Sequence, residues 1–463
     1  MRKRFASLLT VIAMVSVMSA CASSPNSNPG VSSTNTGEQS QTENPAASTD
    51  PEEVEIVIWD KVRDDDPAKT IKMQIQHDFD TKYPHIKVKH EVLAEGNDRQ
   101  IFLTAMAGGQ GPDAYQLAHF PVVGDWIRQG FALDLSEYWA NYEDKEQFLP
   151  SAMEHATVEG KVYGIPNSLY VMGLFYNKDH FADAGLDPEA PPQTWEEFVE
   201  VGEKLIQKDN SRYPYALLGM DWADWYFEYY VWQAGGDLTT LHEDGTVELD
   251  FTKEATVKAL EFYRDMKWEH NMVQKNVLQS YDENMNDFVQ ERASMVVTSH
   301  QWIPGFVNNG LNFGFAPLPK GPAGVAPSQA GGQFWIINPT ITKAKQDASW
   351  TYITYMMSKE VQEKLMTFAE EEGQVPELLP VRSDVDPSQY TSSVSPELVA
   401  SVQKVAEHTQ LEYYLKERLG PYITKAIQTV LTDENADIMS ALKEAEQLAQ
   451  KEVIDPYNAE IKP

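Results

Sequence analysis

Cysteine is almost absent: the 463-residue chain has one, Cys21. No internal disulfide can form, so the fold must rest on a packed core rather than covalent staples. Positive charge is also scarce, with 37 Lys and Arg against 70 Asp and Glu and a formal net charge of −33. Nucleic-acid phosphates are bound by clustered Lys and Arg, so this balance excludes nucleic acid and keeps the chain off anionic surfaces. No internal stretch reaches the ~20 apolar residues that a membrane-spanning helix needs. Catalytic signatures are missing too. There is no Gly-x-Ser-x-Gly, no Walker loop and no Rossmann glycine run, and the ten His show no His-x-x-x-His spacing. The run Asp64-Asp65-Asp66 lacks the glycine and terminal Glu of a calcium loop and reads as a solvated helix start. No metal, no cofactor and no internal repeat is expected.

What is present begins with a leader. Arg2, Lys3 and Arg4 precede a mostly apolar run, Phe5 to Val17, and then Met18-Ser19-Ala20-Cys21. A charged start, a short apolar core and small residues before a cysteine describe a lipoprotein signal over residues 1–21. Cys21 is then the acylated first residue of a protein anchored by lipid on the extracytoplasmic face of the cell membrane. Residues 22–53 are rich in Ser, Asn, Thr, Pro and Gly, hold no aromatic residue, and read as a disordered tether.

From Val54 the texture changes to that of a soluble globular protein long enough for two lobes. Val54 to Trp59 alternates and predicts a strand; Asp66-Pro67 opens a helix with Ile71, Ile75 and Phe79 on one face. Ile86 to Val92 predicts a second strand, Ile101 to Ala107 a helix, and Asp113 to Leu117 a third strand. Further strands are expected at Tyr170–Tyr176, 293–298, 313–316 and 334–337. Thr194 with Glu197 spells a capping box before Phe198, Val201 and Leu205. Thr252 opens a helix buried through Ala259, Phe262, Tyr263 and Met266. Helices dominate after Ser349, including 437–453. Such alternation of strand and helix predicts an α/β fold with a largely parallel sheet covered on both faces.

Several segments in one order carry a resemblance. Gly111-Pro112-Asp113 comes first, then Gly160-Lys161-Val162-Tyr163-Gly164-Ile165-Pro166 running to Leu174-Phe175-Tyr176-Asn177-Lys178-Asp179. Ala184-Gly185-Leu186, Pro192-Gln193-Thr194-Trp195-Glu196-Glu197-Phe198 and Phe288 to Trp302 follow. Together they resemble the maltose-type, or family 1, extracellular solute-binding proteins of ABC importers. The resemblance implies a type II, periplasmic-binding-protein-like fold of two lobes with a cleft between them and three interlobe crossings. These fall near Tyr163–Pro166, Ala330–Gly332 and Gly373–Pro376. The first lobe is then 54–162 plus 331–372, and the second 166–330 plus 375–463. The implied partners are a carbohydrate and the permease's transmembrane subunits, with the binding protein itself a monomer and not an enzyme.

A sugar ring offers apolar C–H faces and a rim of hydroxyls, which call for flat aromatics and planar polar groups. The densest aromatic patch runs from Trp222 to Trp232, with Trp222 and Trp225 at a strand-to-helix entry, where ligands of open α/β sheets bind. Tyr229 and Trp232 read as core. By the resemblance, Trp225 and Trp302 match stacking positions, Tyr170 falls where the maltose-type protein has a hydroxyl-binding carboxylate, and Asp60 and Lys61 match a hydroxyl-binding pair. Gln116 and His119 lie on the opposing rim, and Trp335 and Tyr422 are further candidates. Leu117, Phe120 and Pro121 stand where the family has Trp, Asp and Arg, which weakens any transfer of maltodextrin specificity to this chain. Two alternatives stay open: a lipid-anchored carbohydrate-active hydrolase, and a receptor of the same fold for a non-sugar solute.

Overall fold

The computed structural model describes residues 52–60, 68–92, 98–119, 123–207, 211–220 and 222–461. The leader, Cys21, the tether, Lys61, the Asp64–Asp66 run and the expected helix start at Asp66-Pro67 lie outside the described residues, as does the side chain of His119. No helix among the described residues is long and apolar enough to cross a membrane.

The principal strands are β1 (Val54–Asp60), β2 (Ile86–Val92), β3 (Ala114–His119), β4 (Ile165–Asn177), β5 (Tyr213–Ala216), β6 (Ala293–Ser299), β7 (Phe313–Ala316), β8 (Ser328–Ile337) and β9 (Thr409–Gln410). They form one sheet in the order β2-β1-β3-β8-β4-β6-β5, with β7 on β4 and β9 on β8. Its flanks are parallel, β1 with β2 and β3 at one end and β5 with β6 at the other. Its middle is not: β8 runs antiparallel to β3 and β4, and β4 antiparallel to β6 and β7. The expectation of a largely parallel sheet is therefore corrected to a mixed one. The reason is that β4 and β8 are long enough to serve both halves. Residues 165–171 of β4 pair with β8, whereas 172–176 pair with β6. Residues 333–337 of β8 pair with β3, whereas Ser328 and Gln329 pair with β9.

In the first half, α1 (Lys69–Lys82) buries Ile71, Ile75 and Phe79, the face its spacing predicts. Phe79 meets Tyr352 and Tyr355 of α7 (Lys343–Met356) with ring centroids 5.0 and 5.2 Å apart. The Gly-Pro-Asp element is a joint: Asp113 Oδ2 accepts from the Val57 amide at 2.7 Å and from Lys345 Nζ at 2.8 Å, tying β1 to α7. In the second half, Thr194 caps α3 (Trp195–Leu205) by accepting from the Glu197 amide. Glu197 answers the Gln193 amide, one residue before the position a capping box uses. Trp195 lies flat on Phe262 at 4.1 Å and donates to Gln233 Oε1 at 2.6 Å. That pair packs α3 against α4 (Ala223–Gln233) and α5 (Glu254–Trp268).

After Gly373–Pro376 the chain touches both halves: Glu377 Oε1 stands 3.2 Å from His300 Nε2, and the residues that follow bond back to the first. The Leu149 amide donates to the Val381 carbonyl at 2.9 Å, the Ser383 amide to the Gln147 carbonyl at 2.7 Å, and Arg382 reaches Asp144 and the Met357 carbonyl. Only with Pro396–Val405 does the chain pack on β7 and β4.

Candidate ligand-binding site

Three elements of the second half converge on β4 and β8 where these strands change partners. The first is α4, preceded by β5 and a short loop. Its N-cap residue, Trp222, has φ +53°, a left-handed conformation that non-glycine residues avoid. Trp222 is 53 % exposed. Strained backbone with a large exposed aromatic is a combination found at ligand sites. The second is α6 (Tyr281–Val289), opened by a full capping box between Ser280 and Glu283, which places Tyr281 at its first turn. The third is α10 (Lys416–Thr432), whose N-cap Leu415 is also left-handed, at φ +61°.

A cavity of 370 Å³ opens between them, within the size range of small-molecule sites. Its aromatic walls are Tyr170, Trp222, Trp225, Tyr226 and Tyr281, and its polar groups are Ser299, Gln301, Glu412, Lys416 and Glu417, with Met172 and Gly332 on the crossing strands. Trp222 meets Tyr281 edge-on at 5.3 Å, and Trp225 meets Tyr226 and Tyr229 edge-on at 5.4 and 5.9 Å. Lys416 Nζ stands 5.8 Å from the centre of the Trp225 ring and 3.5 Å from Glu412.

Behind the aromatic wall, burial pushes the Asp224 carboxyl above the usual carboxylate range, and Tyr413 Oη donates to it at 2.6 Å. Burial raises Glu228, one helical turn on, well above that range too.

Of the residues expected to bind ligand, Tyr170, Trp222 and Trp225 come together in this cavity. Trp302 does not line it. Its indole Nε1 donates to the Tyr281 hydroxyl and its ring stacks on Phe306 at 5.8 Å, so it stands one layer behind, while its neighbour Gln301 faces the cavity. Trp335 is corrected to a core residue. It is 1 % exposed and packs edge-on to Tyr352, because β8 is covered on both faces there. Tyr422 lies farther along α10 and donates to Glu452 Oε2 at 2.6 Å, outside the cavity lining. Asp60 is the last residue of β1, and Gln116 lies midway along β3. Asp60 is buried with Oδ2 at 2.5 Å from His90 Nδ1, and the Gln116 carbonyl accepts from Asn167 Nδ2 at 2.6 Å. Sequence reasoning missed Tyr226, Tyr281, Gln301's role and the Glu412–Glu417 segment. The Ser280/Glu283 box was the one readable signal for Tyr281.

Two halves built on shared crossing strands, with a cavity at the crossing, define a two-lobed binding-protein fold. The chain belongs to the bacterial extracellular solute-binding proteins, whose family model matches residues 64–363. The maltotriose-binding protein of Pyrococcus abyssi is 25 % identical over 334 residues, covering 71 % of this chain and 68 % of that protein. The sugar-binding protein MalE of Xanthomonas citri superposes with a TM-score of 0.71 at 22 % identity, covering 88 % of this chain and 98 % of that one. UgpB of Mycobacterium tuberculosis, solved with glycerophosphocholine, gives 0.68 at 21 % identity, covering 88 % and 99 %.

Proposed function

We propose that this chain is the substrate-binding protein of an ABC importer, that its ligand is a carbohydrate, in first place an oligosaccharide, and that it hands this ligand unchanged to permease subunits. One observation carries the reading. Tyr170, Trp222 and Trp225 offer flat faces around a single cavity whose rim holds Gln301, Glu412 and Glu417. That is the complement of a sugar's C–H faces and hydroxyls. The maltotriose-binding relative supports the same ligand class.

The lobes are assigned as 54–162 plus 331–383 and 166–330 plus 396–461, which moves the third crossing past Ser383. Asp60 and Gln116, with Lys61 and His119 beside them in sequence, are assigned to the first lobe's rim. A ligand shifts an open protein to a closed one only through contacts it makes better in the closed state, so that rim must add contacts on closure. Trp302 and Tyr422 are not assigned direct contacts. The leader supports acylation at Cys21 and anchoring on the extracytoplasmic face, which mass spectrometry of the native N-terminus decides.

A thermal-shift panel of maltotriose, longer maltodextrins, lactose and galactooligosaccharides, with glycerophosphocholine alongside, tests the reading. A sugar at 100 times its Kd stabilises the folded state by about 2.7 kcal/mol and raises Tm by several degrees. A shift with glycerophosphocholine and with no sugar would overturn the carbohydrate assignment.

A further inference from the structure

Tyr170 is paired across the ladder with Gly331, where β4 and β8 pass between the halves. The Tyr170 ring lies over this glycine. A Cβ built on Gly331 would overlap Cζ, Oη and Cε1 of that ring, far inside the 3.0 Å that real Cβ atoms keep. The backbone of Gly331 sets no such bar. It is not in the left-handed region and holds a regular antiparallel register, a conformation any residue adopts. The three atoms nearest to such a Cβ all belong to the Tyr170 ring.

A ring covers a strand glycine twice more in this sheet, at Gly314 under its ladder partner Tyr176 and at Gly173 under Phe315, where the Ala316 carbonyl crowds the same space. Those two rings are buried, and covering a strand glycine with a cross-strand aromatic there serves core packing. Tyr170 differs because its ring is half-buried and forms part of the cavity wall, beside Gly332. We propose that Gly331 is a positioning residue for ligand binding: its missing side chain seats the Tyr170 ring flat on the crossing strands and keeps the cavity open to a stacked sugar. A glycine at an expected interlobe crossing is thus given the part of a steric seat. This inference rests on the carbohydrate reading for its ligand, and its geometry is tested without one.

The test is a double-mutant cycle with G331A, Y170A and the double variant. In denaturant unfolding, which needs no sugar, G331A is expected to lower the midpoint clearly when Tyr170 is present and to leave it unmoved in the Y170A background. An equal loss in both backgrounds would show that position 331 demands glycine for its own backbone, and the proposal fails. In calorimetry with maltotriose and lactose, G331A is expected to weaken binding about tenfold or more, and to leave the residual affinity of Y170A unchanged. Wild-type affinity in G331A, alongside a positive unfolding cycle, overturns the positioning role. Absence of sugar binding in the wild type overturns the carbohydrate reading instead, while the unfolding cycle still judges the seat.

Discussion

Replacing Trp222 by Ala is expected to lower sugar affinity about thirtyfold, close to 2 kcal/mol, while unfolding stays near wild type. The two effects separate because Trp222 is 53 % exposed and touches the fold chiefly through an edge contact with Tyr281. Among the described residues Tyr281 is the one aromatic ring it meets, and its left-handed backbone is retained by alanine at similar cost. Trp225→Ala is expected to lose affinity to the same degree and stability as well, since that ring packs on Tyr226 and Tyr229. Trp302→Ala is expected to invert the order. It removes one partner of the Tyr281 hydroxyl, which also bonds Thr298 Oγ1 at 2.7 Å, and a ring stacked on Phe306, so stability falls first and affinity follows through a loosened Tyr281. Calorimetric binding and denaturant unfolding on the same three variants decide the matter. Normal binding by folded Trp222→Ala would remove that indole from the site.

The largest stability effect is expected far from the cavity, at Arg382. Its side chain is 1 % exposed and carries a full set of partners. Two nitrogens face the Asp384 carboxylate at 2.9 Å each, a third bond goes to Asp144 at 3.2 Å, a fourth to the Met357 carbonyl at 3.1 Å, and the guanidinium sits 5.4 Å from the Phe148 ring centre. It adds a side-chain tie to the two backbone bonds that hold the 378–383 segment on the first half. Truncation to Ala leaves a cavity, an unpaired carbonyl and separated carboxylates, at a cost of about 3–5 kcal/mol. The lower end applies if Asp144, which is partly exposed, turns to water. Arg382→Lys keeps the charge and loses the fork, so it is expected to recover only part of that loss. An unfolding midpoint unchanged in Arg382→Ala would contradict the assignment of this contact as a structural pin.

Much of the local structure was legible because it depends on near neighbours in sequence. The Ile71, Ile75, Phe79 face, the bounds of β2 and the Thr194 cap all follow from spacing within one element. Strand direction was not legible in the middle of the sheet. Alternation reports a strand and not its sense, and the helices between successive strands suggested parallel crossovers that hold only at the flanks. Nor did the sequence separate Trp335 from a cleft residue. Phe334 to Ile337 are all buried, so no polar alternation marks which face meets ligand. In the candidate site, the aromatic run at α4 advertised itself, whereas Tyr281, Gln301 and Lys416 come from three separate elements and meet only through the fold.

The central claim is capture of a sugar between two lobes that share crossing strands. Small-angle X-ray scattering of the purified protein, with and without the sugar that gives the largest thermal shift, tests it most directly. Closure over the cavity at Tyr170, Trp222 and Trp225 predicts a smaller radius of gyration at saturation than in the free protein. An unchanged scattering curve with a saturating, tightly bound sugar would contradict it.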